Sequence, residues 1–351
     1  MYKKKKKFII LAFLLIVVNL LSAQKFSLVE GQPALVYALP KTQLCVEVEV
    51  EKITQKPGLY YQYSERYLAT SQVVLEEKTT YALKSIVVSA AAVPDPKRTY
   101  AIQSTKNSFL NQISVNEQGV LCGINVPCQP SAKHKESAAS VASVKQPATM
   151  LLPLSEEYLM AGSNAKLAEG AAKQIYRIRE SRMSLLTGDL DHLPSDGKSL
   201  ATMLDRLDKM ESDLTALFIG KTTVEVQKQR FCLFPDSAMT DVVVFRLSSV
   251  KGLVASDDLS GNPYFIQVKP EKISTVSPDP KAKKVQTAIN TILPAKTEIA
   301  ITNGVKTFFT GSFMIPQLGE LVPLSADMFG YPKLKVHVDP QTGRLLCVEK
   351  Q

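Results

Sequence analysis

The sequence of 351 residues contains no tryptophan and only three histidines. Because tryptophan is a large aromatic platform on which sugars stack, its absence weakens a carbohydrate-binding role without excluding it. The histidines His134, His192 and His337 have no ligand spacing to any cysteine, whereas zinc ligands recur at short, regular intervals. We therefore expect no metal site and no cofactor.

The sequence also lacks the motifs of known active sites. Gly-x-Ser-x-Gly does not occur, and the Ser-x-x-Lys spacings at Ser163 and Ser248 are not accompanied by Ser-Asp-Asn or Lys-Thr-Gly. Gly197-Lys198-Ser199 resembles the end of a phosphate-binding loop, but His192 stands where the first glycine is required. We expect no catalytic residues, and the absence of these motifs argues against an enzyme.

Residues 1–23 have the three parts of a secretory signal peptide. Lys3–Lys7 form a basic start, Phe8–Leu21 form an apolar run, and Ser22 and Ala23 supply the small residues of a cleavage site. The apolar run is shorter than the ~20 residues that span a bilayer, so a cleaved signal is favoured over an uncleaved anchor helix. Cleavage after Ala23 predicts an extracytoplasmic protein, in the periplasm or at the cell surface.

Cleavage also changes the charge of the chain. Of the formal net charge of +9, five charges belong to Lys3–Lys7, and the mature chain retains only +4. This balance gives no electrostatic reason to expect nucleic acid as a partner. Gln24, not cysteine, follows Ala23, so we expect no lipid anchor, and no transmembrane helix is expected after the signal.

Five cysteines are an odd number, so in an oxidising compartment at least one thiol is free or pairs between chains. Cys122 and Cys128 are close enough to bridge, but the alternation around Cys122 favours a buried free thiol instead. Cys45 shares one face of its strand with Glu47, Glu49 and Glu51. It is therefore predicted to be the exposed thiol.

The pattern of apolar residues predicts two β-rich parts. Before the helices, the predicted strands are Leu44–Glu51, Tyr81–Ala90, Thr99–Gln103, and a hairpin of Ile113–Asn116 and Val120–Asn125 turning at Gly119. After them, the predicted strands are Val224–Gln227, Val242–Leu247, Phe265–Val268, Glu298–Thr302, Val305–Phe309, Lys333–Val338 and Leu345–Glu349, with a turn at Asn303-Gly304.

Two helices are predicted between these parts. Ala165–Leu186 and Leu200–Phe218 carry apolar residues at three- and four-residue steps, although Arg182 interrupts the first series. Gly188 is a stop signal for the first helix, and Ser195 or Asp196 a start signal for the second. An antiparallel helical hairpin is the expected result.

The fold class is therefore α+β: two β-rich parts separated by a linker and an antiparallel helical hairpin. The expected boundaries follow from these shifts in composition: 1–23 signal peptide, 24–128 N-terminal β-rich domain, 129–150 Ala-, Ser-, Lys- and Pro-rich linker, 151–220 helical hairpin and 221–351 C-terminal β-rich domain.

Four tyrosines lie within the segment Pro57–Leu68, here called the tyrosine segment. Such a cluster is typical of a recognition surface, and Tyr60, Tyr61, Tyr63 and Tyr67 are the candidate partner-binding residues. The alternative, favoured by the helical spacing of Tyr60, Tyr63 and Tyr67, is a short helix pinned by its buried face to the neighbouring sheet.

Tyr37–Thr42, the tyrosine segment, Gly119–Leu121 and Gln317–Gly319 together resemble a known family. They are similar to segments of exported Bacteroidetes proteins grouped as domain of unknown function 4831, and Leu21–Gln24 resembles signal cleavage in that phylum. The resemblance covers most of the mature chain. It implies the compartment and the architecture, and it brings no catalytic residues.

These observations favour a non-catalytic binding or assembly module of the cell envelope or surface, with an envelope protein or a glycan as its partner. The alternative is an envelope hydrolase whose site assembles from residues distant in sequence.

Overall fold

The computed structural model describes residues 26–29, 32–103, 113–128, 162–188, 196–272, 287–325 and 334–350. Thirteen strands in these ranges form three sheets. The strands are β1 Phe26–Val29, β2 Gln32–Lys56, β3 Lys78–Gln103, β4 Ile113–Val115, β5 Leu121–Ile124, β6 Lys221–Leu233, β7 Met239–Ser248, β8 Gly252–Val254, β9 Asn262–Pro270, β10 Thr287–Thr302, β11 Thr307–Ser325, β12 Leu334–Val338 and β13 Leu345–Lys350. The predicted linker 129–150 and the signal peptide lie outside the described residues.

Strand β2 organises the first sheet. It pairs with β1, with β3 along most of its length, and with β6 through Leu44–Lys56, always antiparallel. The second sheet has the order β11-β10-β9-β7-β8, and the third has the order β13-β12-β5-β4. The α+β class is confirmed, with strands dominating.

The two halves of β2 enter different cores. Leu35, Tyr37 and Leu39 pack with residues of the third sheet and of β10. Leu44, Val46, Val48 and Val50, which alternate along the strand, are fully buried against the second sheet, where Phe245 stacks on Tyr264. One long strand therefore joins both cores.

Both β-rich parts contribute strands to the same sheets. β6 from the second part pairs with β2 from the first, and β12 pairs with β5 across more than 200 residues of sequence. The two parts therefore share hydrogen-bonded ladders.

Several strands are longer than the alternation predicts. β3 runs continuously through Pro94 and Pro96, where two separate strands were expected. Among the described strands, β3 has only β2 as a neighbour, so its prolines lie in an edge strand, which tolerates a missing backbone donor.

The helical hairpin is confirmed. After the five-residue helix α1, Ser64–Leu68, come α2, Asn164–Thr187, and α3, Gly197–Ile219. Gly188 ends α2 in the left-handed conformation, and Asp196 caps α3 by accepting a hydrogen bond from the Ser199 backbone N–H.

The cysteine predictions need correction. Cys45 is 3% exposed and forms a disulfide with Cys232, which lies directly opposite it on β6. The face assignment of Cys45 was right, but the neighbouring strand was not foreseen. Cys122 is buried and bonded to Cys128, so it is not a free thiol. The exposed free cysteine is Cys347.

Tyr37 joins β2 to β10 inside the shared core. Its side chain is 1% exposed, and its hydroxyl oxygen accepts a hydrogen bond of 2.9 Å from the Asn290 backbone N–H. Burial, partly offset by this hydrogen bond, raises the pKa of Tyr37 to about 12 from its ordinary value of 10. Tyr37 is therefore a buried neutral group at all physiological pH values.

Because the pKa of Tyr37 is raised in the folded protein, we expect the protein to lose stability at alkaline pH. The unfolded chain ionises near pH 10 and the folded chain near pH 12, so the contribution of Tyr37 is complete below pH 10 and is lost as pH rises to 12. Two pKa units correspond to about 3 kcal/mol. Urea unfolding measures the free energy of unfolding at about pH 9 and at about pH 11.5. Between these two pH values it should fall less for Tyr37→Phe than for the wild type. An equal loss in both proteins would refute the assignment.

Candidate functional site

The tyrosine segment lies against the end of α3. Gly58 is buried there, and a β-carbon on it would come within 2.4 Å of the Leu217 carbonyl oxygen. The Tyr60 backbone N–H donates a 2.6 Å hydrogen bond to the same oxygen. Glycine is therefore required at position 58 for this close approach of two backbones.

The structure places the four candidate tyrosines differently from one another. Tyr60 is 2% exposed, and its ring centroid lies 5.6 Å from that of Phe218 on α3. Tyr63 and Tyr67 are half-buried and pack against the same core of α2 and α3. The expected buried face is present, but it packs on the helical hairpin and not on the neighbouring sheet.

Hydrogen bonds from side-chain hydroxyls to backbone carbonyls fix the segment in place. Ser64 Oγ donates to the Phe218 carbonyl at 3.1 Å, and Tyr176 Oη on α2 donates to the Tyr67 carbonyl at 2.8 Å. Tyr61, in the 3-10 turn Tyr61–Tyr63, keeps part of its side chain at the surface. Of the four tyrosines, Tyr61 is therefore the one whose ring is best placed for a partner without a rearrangement.

An open cleft of about 530 Å³ lies between α2, α3 and the start of β6. Arg182 Nη1 lies 2.6 Å from Asp208 Oδ1 and 3.1 Å from Glu211 Oε2, and Arg179 Nε lies 2.6 Å from Glu211 Oε1. The hydrogen bond that Arg182 donates to Asp208 and the negative charge of Glu211 raise the pKa of Arg182. These ion pairs connect α2 to α3, which explains why Arg182 interrupts the apolar series of α2.

The serine motifs considered from sequence serve as turn and cap residues. Ser163 Oγ caps α2 by accepting the Lys166 backbone N–H, and Ser248 Oγ accepts the backbone N–H groups of Val250 and Lys251. Both oxygens thus have local structural partners. Neither Ser-x-x-Lys spacing places its serine beside a general base among the contacts described.

Strand β6 is exposed along most of its length. Residues 221–230 are exposed throughout, and Val224 and Val226 have 53% and 42% of their surface accessible. Among the strands that the structure describes, β6 pairs only with β2. Its other edge therefore presents backbone N–H and C=O groups along thirteen residues.

Sequence reasoning missed one cluster of potential ligands. His337 on β12 lies opposite Cys347 on β13, and Glu349 is close to both. The nine residues between His337 and Cys347 match no common ligand spacing. The turn signal at Gly343 could have indicated this cluster, because it predicts a hairpin that brings β12 and β13 together.

Within the described ranges, no helix is long and apolar enough to cross a membrane.

Comparison with known proteins gives one result. No curated protein and no solved structure matches the chain significantly. A family model, described as Domain of unknown function (DUF4831), matches residues 34–346, which include every described strand from β3 to β12 and all three helices. The chain belongs to this family.

Proposed function

We propose that this protein is an exported, non-catalytic binding or assembly module of the cell envelope or surface of a Bacteroidetes bacterium. It acts after removal of residues 1–23, in the periplasm or outside the cell. Its partner is an envelope protein that adds an extended strand to the free edge of β6. The proposal has two parts, the compartment and the binding element.

Export is supported by the disulfides. Four of the five cysteines are paired, and the bond between Cys45 and Cys232 joins residues 187 apart. Structural disulfides persist in oxidising compartments and are rare where thiols are kept reduced. Together with the signal-like residues 1–23, they favour a protein that matures outside the cytoplasm.

The free edge of β6 is the observation that carries the binding role. The Cα atoms of Cys45 and Cys232 are 4.2 Å apart, which is the short separation of a non-hydrogen-bonded pair in an antiparallel ladder. The register between β2 and β6 has no shift. By the alternation of the ladder, the backbone groups of Cys232, Arg230, Lys228, Val226 and Val224 point away from β2, toward an added strand.

The chemistry of the edge favours a protein partner over a glycan. An extended polypeptide satisfies a row of alternating donors and acceptors, and main-chain hydrogen bonds supply its affinity. Val224 and Val226 offer exposed apolar surface on one face of β6. The charge of Lys228 on that face is already paired with Glu49 of β2. The groups of this face left for a partner are therefore the backbone, the two valines and the exposed side chain of Arg230.

Val226→Pro tests the binding element. Proline removes the outward N–H of residue 226, while the ladder between β6 and β2 uses the N–H groups of its neighbours. Pull-down of the tagged protein from cell-envelope fractions should recover a partner with the wild type, and Val226→Pro should reduce its affinity at least tenfold, or about 1.4 kcal/mol.

Val226→Thr is the matched control, because it keeps the backbone donor and the branched side chain. It should retain the partner, and both variants should have the thermal stability of the wild type within a few degrees. Equal recovery with proline and threonine at position 226 would remove β6 as the binding element.

A further inference from the structure

The hairpin of β12 and β13 brings three kinds of metal ligand to one face of the third sheet. His337 pairs directly with Cys347 across the two strands. Glu349 follows Cys347 by two residues and therefore projects from the same face. One ligand atom from each of the three side chains lies within 4.8 Å of the other two.

The distances are close to those of a filled tetrahedral site. Cys347 Sγ lies 3.8 Å from Glu349 Oε1, and His337 Nε2 lies 3.9 Å from Glu349 Oε2. Zinc bonds of 2.0–2.3 Å at tetrahedral angles place two ligand atoms about 3.3–3.6 Å apart. The three ligand atoms lie within 4.8 Å of one another, so side-chain rotations that shift them by up to about 1 Å would bring them onto one ion.

His337 Nε2 is a second, independent indication of a ligand. This nitrogen is shielded from solvent and has no hydrogen-bond partner among the described residues. Leaving such a polar atom buried and unpaired costs about 1–3 kcal/mol. The atom is directed toward Glu349, at a separation too long for a hydrogen bond, and an ion between them would provide the missing partner.

Cys347 supplies a ligand that the other cysteines cannot. Cys45, Cys122, Cys128 and Cys232 are consumed in disulfides, whereas Cys347 is free and exposed on the edge strand β13. An exposed thiol gives an ion a path to the site. As a thiolate it is a soft ligand that zinc accepts and that calcium and magnesium do not prefer.

We propose that His337 Nε2, Cys347 Sγ and the Glu349 carboxylate bind one Zn²⁺ ion. Imidazole, thiolate and carboxylate are the three ligand types of protein zinc sites, and three protein ligands leave a fourth position for water. The ion would tie the edge strand β13 to β12, beginning one residue pair from the turn end of their ladder. This site is independent of the β6 edge, so either proposal can fail alone.

Titration calorimetry with zinc chloride on the purified chain, with both disulfides intact and no added thiol, tests the site. The wild type should bind one ion per chain. Cys347→Ser and His337→Gln should each weaken binding by more than 100-fold, since even residues outside the coordination sphere contribute about 10- to 100-fold. Glu320→Gln, which changes an exposed carboxylate on β11 outside the cluster, should bind as the wild type does. Undiminished binding by either ligand variant would overturn the proposal.

A measurement on the unmutated protein guards against variants that fail to fold. Cys347 is the free thiol of the native chain, so its alkylation by iodoacetamide can be followed by mass spectrometry. Stoichiometric zinc should slow the alkylation at least tenfold, and a chelator should restore the rate, because the thiolate is then held by the ion. An alkylation rate that zinc does not change would also overturn the site.

Discussion

Replacing Cys45 and Cys232 together with alanine is expected to lower the free energy of unfolding by about 5 kcal/mol. The disulfide closes a loop of 187 residues, and the loss follows from the chain entropy that this loop removes from the unfolded state. It also holds β6 on β2 at the point where the ladder leaves the buried region. Urea unfolding of the variant and the wild type, without reductant, measures the difference.

The second disulfide provides the matched control. Cys122 and Cys128 are six residues apart, so the same calculation gives only about 2 kcal/mol for their double alanine variant. Both variants remove two sulfur atoms and one covalent bond. A Cys122–Cys128 variant that loses as much stability as the Cys45–Cys232 variant would contradict loop closure as the dominant cause.

Tyr60→Ala and Tyr61→Ala are expected to separate the structural and recognition roles of the tyrosine segment. Tyr60 is almost fully buried against Phe218, so its truncation should cost about 3–5 kcal/mol, as for other large buried aromatic residues. Tyr61 keeps surface exposure, and its truncation should cost less than about 1 kcal/mol. Thermal unfolding measures both changes.

The same pair of variants tests the segment as a partner-binding site. If Tyr61 contacts a partner, Tyr61→Ala should lose envelope-fraction capture while remaining as stable as the wild type. Tyr61→Phe, which keeps the aromatic ring, should retain most of the capture from envelope fractions. Full capture by the folded Tyr61→Ala protein would leave the tyrosine segment with a purely structural role.

The helical hairpin could be predicted from sequence because its signals are local. Gly188 and Asp196 act within one turn of the helix ends that they set, and the apolar steps of α3 lie within one window of sequence. The two hairpins of the third sheet were predictable for the same reason, since Gly119 and Gly343 lie in the turns between adjacent strands.

The partners of Cys45, β2 and His337 could not be predicted, since they depend on long-range pairing. The alternation of β2 shows which face Cys45 occupies, but nothing near Cys45 indicates that Cys232 lies opposite it. Likewise, the length of β6 follows from its thirteen-residue ladder with β2, which overrides the weak strand pattern of Lys221–Arg230. Ligand clusters formed across strands have no fixed spacing to recognise.

The position of β2 between early and late strands also constrains when the protein can fold. Its first half packs with β12, and its second half pairs with β6 and packs with β9 and β11. The second core therefore cannot close before β11 has emerged, and the first cannot close before residue 338. Pairings of such high sequence separation form slowly. If the chain is exported as we propose, this order would keep both cores open until late in its passage across the membrane.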